Sequence, residues 1–214
     1  MITSIETVQP HGRSESAVDS PGVDSPAIPE SLIYEILNGR PLYYKGYRDV
    51  VAGTLKSEDL MGSSDLQAIL VSLINTHITV NRDKKRYITA TNESGLHIAV
   101  GDNLSADIAI FEKAKLSKLK GKYFDIAPKI VIEVDIKIDL NAIGSDVAYI
   151  SEKTQELFDF GVERVLWVLS SIRKVIILHP NQDWITTDWS NDILVMEGCV
   201  LNIKKLLDEE EISY

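Results

Sequence analysis

The residues most able to do chemistry lie between positions 128 and 139, Pro-Lys-Ile-Val-Ile-Glu-Val-Asp-Ile-Lys-Ile-Asp. Ile130, Ile132, Val134, Ile136 and Ile138 alternate with Val131, Glu133, Asp135, Lys137 and Asp139, which is the period of a strand with one buried face. On such a strand the Cα atoms of Glu133 and Asp135 lie roughly 6.5–7 Å apart on one face. Carboxylates that close repel one another unless a cation sits between them. The stretch therefore reads as half core and half metal site. An edge strand with a solvated, charged face fits the alternation equally well.

Other chemical groups are dispersed. Glu35 stands in an apolar run, Leu32 to Leu37, where an acid is either on the exposed face or functional; spacing leaves both open. Asp107 ends Ser105-Ala106-Asp107, which leads into Ile108 to Phe111. Lys153 falls on the apolar side of a helix formed by Val147, Ile150, Thr154, Leu157 and Phe160. A buried, unpaired ammonium is costly, so Lys153 needs an acidic partner or must snorkel to solvent. Lys113, Lys115, Lys118, Lys120 and Lys122 form a basic island in an acidic chain. It reads either as a solvated loop or as a phosphate contact beside a nuclease-like site.

The elements that must position these groups follow from pattern. Asn38-Gly39 between two apolar runs predicts a hairpin with a type I′ turn. Ser63-Ser64-Asp65 caps a helix with the stripe Leu66, Ile69, Leu70, Leu73 and Ile74; His77 near its end reads as a helix-terminus residue. Tyr87 to Thr91, Leu96 to Val100 and Ile108 to Phe111 read as an antiparallel meander, broken at residues 92–95 and turned at 101–103. Ser145 caps a helix that Gly161 ends. Val162 to Leu169 reads as a central strand, followed by strands at 173–179, 184–188 and 193–196 and a last helical turn or two from Leu201 to Leu207.

The 214 residues carry 44% hydrophobic and 25% charged side chains, enough for one domain plus a tail. Residues 1–29, interrupted by Pro10, Pro21, Pro26 and Pro29, read as a flexible tail, and residues 30–214 as a single domain. There is no apolar run of membrane-spanning length, and no basic start with an apolar middle as in a signal peptide. Cys199 is the sole cysteine, which excludes an intrachain disulfide and a thiolate metal cluster. A cytoplasmic protein is the expectation. The net charge of −10 argues against non-specific coating of nucleic acid, though not against an enzyme that grips it through a local patch and a divalent ion.

Four separated features occur in one order: Glu35-Ile36-Leu37-Asn38-Gly39; Ala106-Asp107-Ile108-Ala109-Ile110; Ile132-Glu133-Val134; and Lys153 followed by Gly161-Val162 and Leu166-Trp167-Val168. In this the chain resembles, over roughly residues 30–207, the Uma-two family of restriction-endonuclease-like proteins in the PD-(D/E)xK nuclease superfamily. The resemblance implies an α+β fold, a restriction-endonuclease-like mixed β-sheet flanked by helices, with acids clustered at one side of the sheet. It matches Asp107 to the first motif aspartate, Glu133 to the acid of the second motif, Glu35 to the glutamate of the hairpin, and Lys153 to a lysine of the following helix. Ala106 replaces the usual proline. Asp135 stands where the superfamily has its motif lysine, so Lys137 and Lys153 compete for that role.

The resemblance further implies a Mg²⁺-dependent DNA endonuclease, with Mn²⁺ as a substitute ion. Asp107 and Glu133 would hold the ion, a backbone carbonyl near Val134 would complete the shell, and a lysine would orient the water or stabilise developing charge. Asp135 would join that cluster or pair with a lysine. Helical phase favours Lys153 at the site, with Lys137 peripheral, because Lys137 lies four residues, roughly 13 Å, along a straight strand from Glu133. Lys115, Lys118 and Lys120 would contact phosphate. DNA is the expected partner, and a homodimer is compatible with the pattern. The rival reading is a catalytically inactive nuclease-fold module used for binding or dimerisation; a plain α+β structural protein is the blandest.

Overall fold

A computed structural model describes residues 28–60, 62–116 and 118–213. The expected tail lies, but for its last two residues, outside them. The hairpin forms as its turn chemistry requires. Asn38 and Gly39 have φ of 53° and 70°, both in the left-handed region that a type I′ turn demands, and they join β1 (Ile33–Leu37) to β2 (Arg40–Tyr43). A short helix α1 (Tyr47–Val51) follows. Helix α2 (Asp65–Asn81) begins where the Ser64 hydroxyl accepts the Gln67 N–H. Its buried stripe is Gln67, Leu70, Ile74 and Ile78, while Ile69 is exposed.

The expected three-strand meander is instead two long strands, β3 (Tyr87–Ala99) and β4 (Asp102–Glu112). The chain does not break at residues 92–95. It bulges there, with Asn92 and Glu93 at φ of 70° and 51°, and the ladder resumes at Ser94 opposite Ala106. The remaining elements are β5 (Ile130–Val134), α3 (Asp146–Phe160), β6 (Arg164–Leu169), β7 (Lys174–Leu178), β8 (Ile185–Asp188), the small hairpin β9 (Ile193–Met196) and β10 (Cys199–Leu201), and α4 (Ile203–Glu209).

The main sheet has eight strands and mixed direction, in the order β2-β1-β4-β5-β6-β7-β8, with β3 on β4. β5 and β6 are parallel and are joined across the sheet by α3; the other pairs are antiparallel. β4 organises the site. Along one edge it carries β3. Its other edge is shared, because Asn103 faces Ile36 of β1 while Ile108 to Ile110 face β5. Between Asn103 and Ile108 the sheet forks.

Both sheet faces are covered. On one, Ile108, Ile132, Val134 and Leu166 meet Leu70 and Ile74 of α2 and Ile203 and Leu207 of α4. On the other, Ala109, Val131 and Trp167 meet Tyr149, Ile150 and Leu157 of α3. This overturns the half-exposed strand expected at 128–139. β5 stops at Val134, and all five of its residues are buried, since a strand flanked by helices on both faces has no solvated side. The stripe of α3 differs from the expected one at its start, where Val147 is 64% exposed and Tyr149 is buried; Ile150, Lys153, Thr154 and Leu157 are buried as expected. Gly161, at φ 116°, closes α3 in the left-handed conformation that glycine adopts without a Cβ penalty. No helix among the described residues is long and apolar enough to cross a membrane.

Leu166 lies at the centre of the sheet and is fully buried. Leu166→Ala should cost about 2–5 kcal/mol of unfolding free energy in a urea titration.

Candidate active site

The fork gathers the acids. In the β4–β5 ladder Ile108 faces Ile132, so the next position of each strand sets Asp107 beside Glu133 on one sheet face. Glu35 comes from β1 on the far side of the fork and accepts the Ser105 N–H at 3.4 Å. All three acids are buried. Such a group is tolerable only with counter-charge, and α3 supplies it. Lys153 Nζ lies 2.9 Å from Glu35 Oε2 and 3.2 Å from Glu133 Oε1. One turn earlier on α3, the Tyr149 hydroxyl donates to Glu35 Oε1 at 2.5 Å. Helical phase thus brings Lys153 to the acids, as expected, and the lysine does not snorkel.

Glu133 Oε1 has no hydrogen-bond partner among the described residues: Lys153 is close but off the line of a hydrogen bond. Burial, opposed by Lys153 and reinforced by the charges of Asp107 and Glu35, pushes the Glu133 carboxyl up to about 8. Burial acts to lower Lys153, but Glu133 and Glu35 outweigh it, and the ammonium stays charged. Burial, then the same carboxylates, raises the Tyr34 and Tyr149 phenols well above their ordinary value, so both remain protonated.

Lys137 is not peripheral. Its Nζ donates to Asp107 Oδ1 and to Glu93 Oε1, each at 2.8 Å. The straight-strand distance fails because the strand ends. Asp135 is in the left-handed region at φ 59°; its N–H donates to the Val168 carbonyl, and its Oδ1 accepts the Ser170 N–H at 2.7 Å. An aspartate tolerates this conformation better than most residues, particularly with its carboxylate tied to a nearby backbone N–H. The chain then turns across the fork and bonds to the end of β2, with Lys45 N–H donating to Lys137 O and Asp139 N–H to Tyr43 O. Lys137 is thereby folded back onto Asp107. The Tyr34 ring is near both lysines, its centroid 5.7 Å from Lys137 Nζ and 5.8 Å from Lys153 Nζ.

The same kink removes Asp135 from the acid cluster to which sequence assigned it. Asp135 lines a separate cleft of about 420 Å³ with Lys45, Asp139 and Asp146. The Val134 peptide is clamped at both ends, its N–H donating to Asp107 Oδ2 at 2.8 Å and its carbonyl accepting Gln67 Nε2 at 2.7 Å. Among the described residues, no group of three His, Cys, Asp or Glu side chains could hold a metal ion. The basic island is not at the site. Lys115 pairs with Glu112, five residues and roughly 17 Å along β4 from Asp107. Lys120 pairs with Asp125, Lys118 is exposed, and none of the three lines the cleft beside Asp107. That cleft, about 490 Å³, opens between α2 and the β3 bulge.

Sequence reading missed Gln67, Glu93, Tyr34 and Tyr149. Two left a trace. Gln67 is a polar residue at helical spacing from Leu70 and Ile74, and Tyr149 precedes Lys153 by one turn. Glu93 left none, since the bulge that aims it follows from pairing with β4.

No family model matches the sequence, and no curated protein matches it. Among solved structures, the chain is similar to one described as a "putative nuclease belonging to DUF820" from Anabaena variabilis. The two are 17% identical, with a TM-score of 0.51, over 67% of this chain and 78% of that one. The mixed sheet flanked by helices is thus a fold shared with that structure, in keeping with the restriction-endonuclease-like architecture implied by the motifs.

Two expectations follow. Asp135→Asn should keep the acceptor and the left-handed backbone and stay within about 1 kcal/mol of wild type. Asp135→Val should lose about 1–3 kcal/mol from the backbone alone, read by chemical denaturation. The second concerns pH, in metal-free buffer. Because the folded Glu133 carboxyl titrates at about 8 rather than its ordinary 4.5, the stability it contributes is fully present below about 4.5. That contribution is lost as the pH rises through about 8. Glu133→Gln should flatten this fall, and an unchanged slope would assign the titration to another group.

Proposed function

We propose that the protein is a metal-dependent nuclease that hydrolyses phosphodiester bonds in DNA, with Asp107 and Glu133 as the acids of its site. The observation that carries this reading is that Asp107 and Glu133 hold the positions next to the paired Ile108 and Ile132, with Asp107 lining a cleft and one buried Glu133 oxygen lacking a hydrogen-bond partner among the described residues. The donor chemistry suits Mg²⁺. That ion takes hard oxygen ligands and is commonly bound by one or two carboxylates, with waters and substrate phosphates filling the rest, so a third protein acid is not required. Asp107 and Glu133 would hold it, and when bound it supplies charge neutralisation and an acidified water.

The chain's own groups do the remaining work. Lys153, fixed between Glu35 and Glu133 and packed near Tyr149 and Trp167, orients both acids and opposes the rise that burial imposes on the Glu133 carboxyl. It is too enclosed to meet a substrate, so it acts as a positioning residue. Gln67 and Asp107 fix the Val134 peptide at the point where β5 ends. Tyr149, protonated, donates to Oε1 of Glu35.

A second reading has its own support. Lys137 and the Val134 N–H already engage both oxygens of Asp107, and Gln67 takes the Val134 carbonyl. A nuclease fold whose acids are neutralised internally would serve as a binding or dimerising module without cutting.

The deciding experiment incubates the protein with plasmid and with single-stranded DNA, in Mg²⁺ or Mn²⁺ and in EDTA. Metal-dependent cleavage should fall roughly 10²–10³-fold in Glu133→Ala and in Lys153→Ala. Cleavage that survives Glu133→Ala would remove these acids from the chemistry. A wild-type protein inert under every condition would favour the binding module.

A further inference from the structure

Lys137 differs from Lys153 in what it faces. Lys153 is sealed in the core at 1% side-chain exposure, whereas Lys137, at 12%, lines the cleft beside Asp107. No other lysine or arginine lines that cleft among the described residues. Its two carboxylate partners are also unequal. Asp107 is 4% exposed and is anchored by the Val134 N–H. Glu93 is 35% exposed, makes no other ion pair among the described residues, and sits on the β3 bulge, where two successive non-glycine residues hold positive φ. A left-handed backbone at such residues costs energy and persists where the surroundings enforce it. Here it aims the Glu93 carboxylate at the cleft-facing ammonium. The opposite wall is neutral and polar, formed by Ser72, Asn75 and Thr76 of α2, and Asn75 Oδ1 is buried with no hydrogen-bond partner among the described residues.

We propose that Glu93 occupies the position of a substrate phosphate on Lys137, so that the bulge is an internal competitor that a nucleic-acid phosphate must displace. This rests on the nuclease reading for the identity of the phosphate, and it goes beyond it by assigning Lys137 to substrate rather than to structure. A carboxylate and a phosphate oxygen meet an ammonium with the same charge-assisted geometry. Displacement exchanges one ion pair for another at Lys137 and moves the Glu93 carboxylate into water, which its partial exposure allows. Asp107 keeps Lys137 in place throughout.

The test is equilibrium binding of a fluorescent single-stranded oligonucleotide, followed by anisotropy in EDTA so that no strand is cut. Glu93→Gln keeps the side chain's shape but removes its charge. It should bind roughly tenfold more tightly than wild type, about the worth of one charge-assisted hydrogen bond. Lys137→Gln in the Glu93→Gln background should erase that gain. Glu93→Ala, which tolerates any change at the bulge differently, should match Glu93→Gln in affinity, and the thermal midpoint of each variant establishes that it is folded. Equal or weaker binding by both folded Glu93 variants would overturn the proposal, as would a gain that survives loss of Lys137. The outcome is separable from catalysis. Tighter binding in a protein that never cleaves DNA would support the competitor while sinking the nuclease reading. Cleavage by wild type with no gain from either Glu93 variant would do the reverse.

Discussion

The ammonium of Lys153 is the constraint on which the rest of the site depends. Two carboxylates from different strands, Glu35 and Glu133, are removed from water at the centre of the molecule, and a single lysine on the crossover helix lies within ion-pair distance of both. Burying charge here costs several kcal/mol per ion before any attraction is counted. The arrangement therefore survives only with α3 docked in one rotation, with Tyr149 on Glu35 and Trp167 donating to Thr154 on the same helix. A hydrophobic cluster of the same volume would be easier to stabilise. What the ion cluster adds is a fixed geometry for carboxylates at the end of a strand.

The second determinant is backbone, not charge. β5 is short because the chain leaves the sheet at Asp135, in a conformation held by the Val168 carbonyl and the Ser170 N–H. From there residues 137–139 cross to the end of β2 and close the fork that β4 opens. One dihedral angle thus sends Asp135 to one cleft and Lys137 to another. The bulge in β3 acts in the same way on the opposite edge of β4, bringing Glu93 to Lys137. Two local departures from regular pairing, on the two strands that flank β4, converge on Asp107.

The charge balance of the site gives these departures a chemical sense. Glu35, Asp107, Glu133 and Glu93 face Lys137 and Lys153, an excess of acid in a region that is largely dry. Burial displaces the Glu133 carboxyl upward, Lys153 opposes the displacement, and the charges of Asp107 and Glu35 add to it. On the metal-dependent reading proposed above, a divalent cation would offset that excess. The basic island plays no part in this balance: Lys115 and Lys120 are each matched to a neighbouring acid away from the cleft.

Local chemistry made much of the framework legible in the sequence. Asn38-Gly39 specifies its hairpin because only a turn with two positive φ values fits two right-twisted strands. Ser64, Ser145 and Gly161 mark helix ends because their side chains, or the lack of one, satisfy or permit the terminal backbone. Helical phase placed Lys153 on the buried side of its helix, since 100° per residue is a property of the chain itself, and the family resemblance added the acids as its partner. The order of Glu35, Asp107, Glu133 and Lys153 was likewise visible, and each is at the fork. Tertiary structure decided the rest. Alternation from Ile130 to Ile138 cannot reveal that the strand ends at Val134, because the termination depends on partners at Val168 and Ser170, more than thirty positions away. For the same reason Asp135 and Lys137 exchanged their expected places, Gln67 came through from the other face of the sheet, and Glu93 entered the site on a bulge. A strand's period fixes which way a side chain points only while the strand continues, and where it stops is set by long-range hydrogen bonds that one sequence does not display.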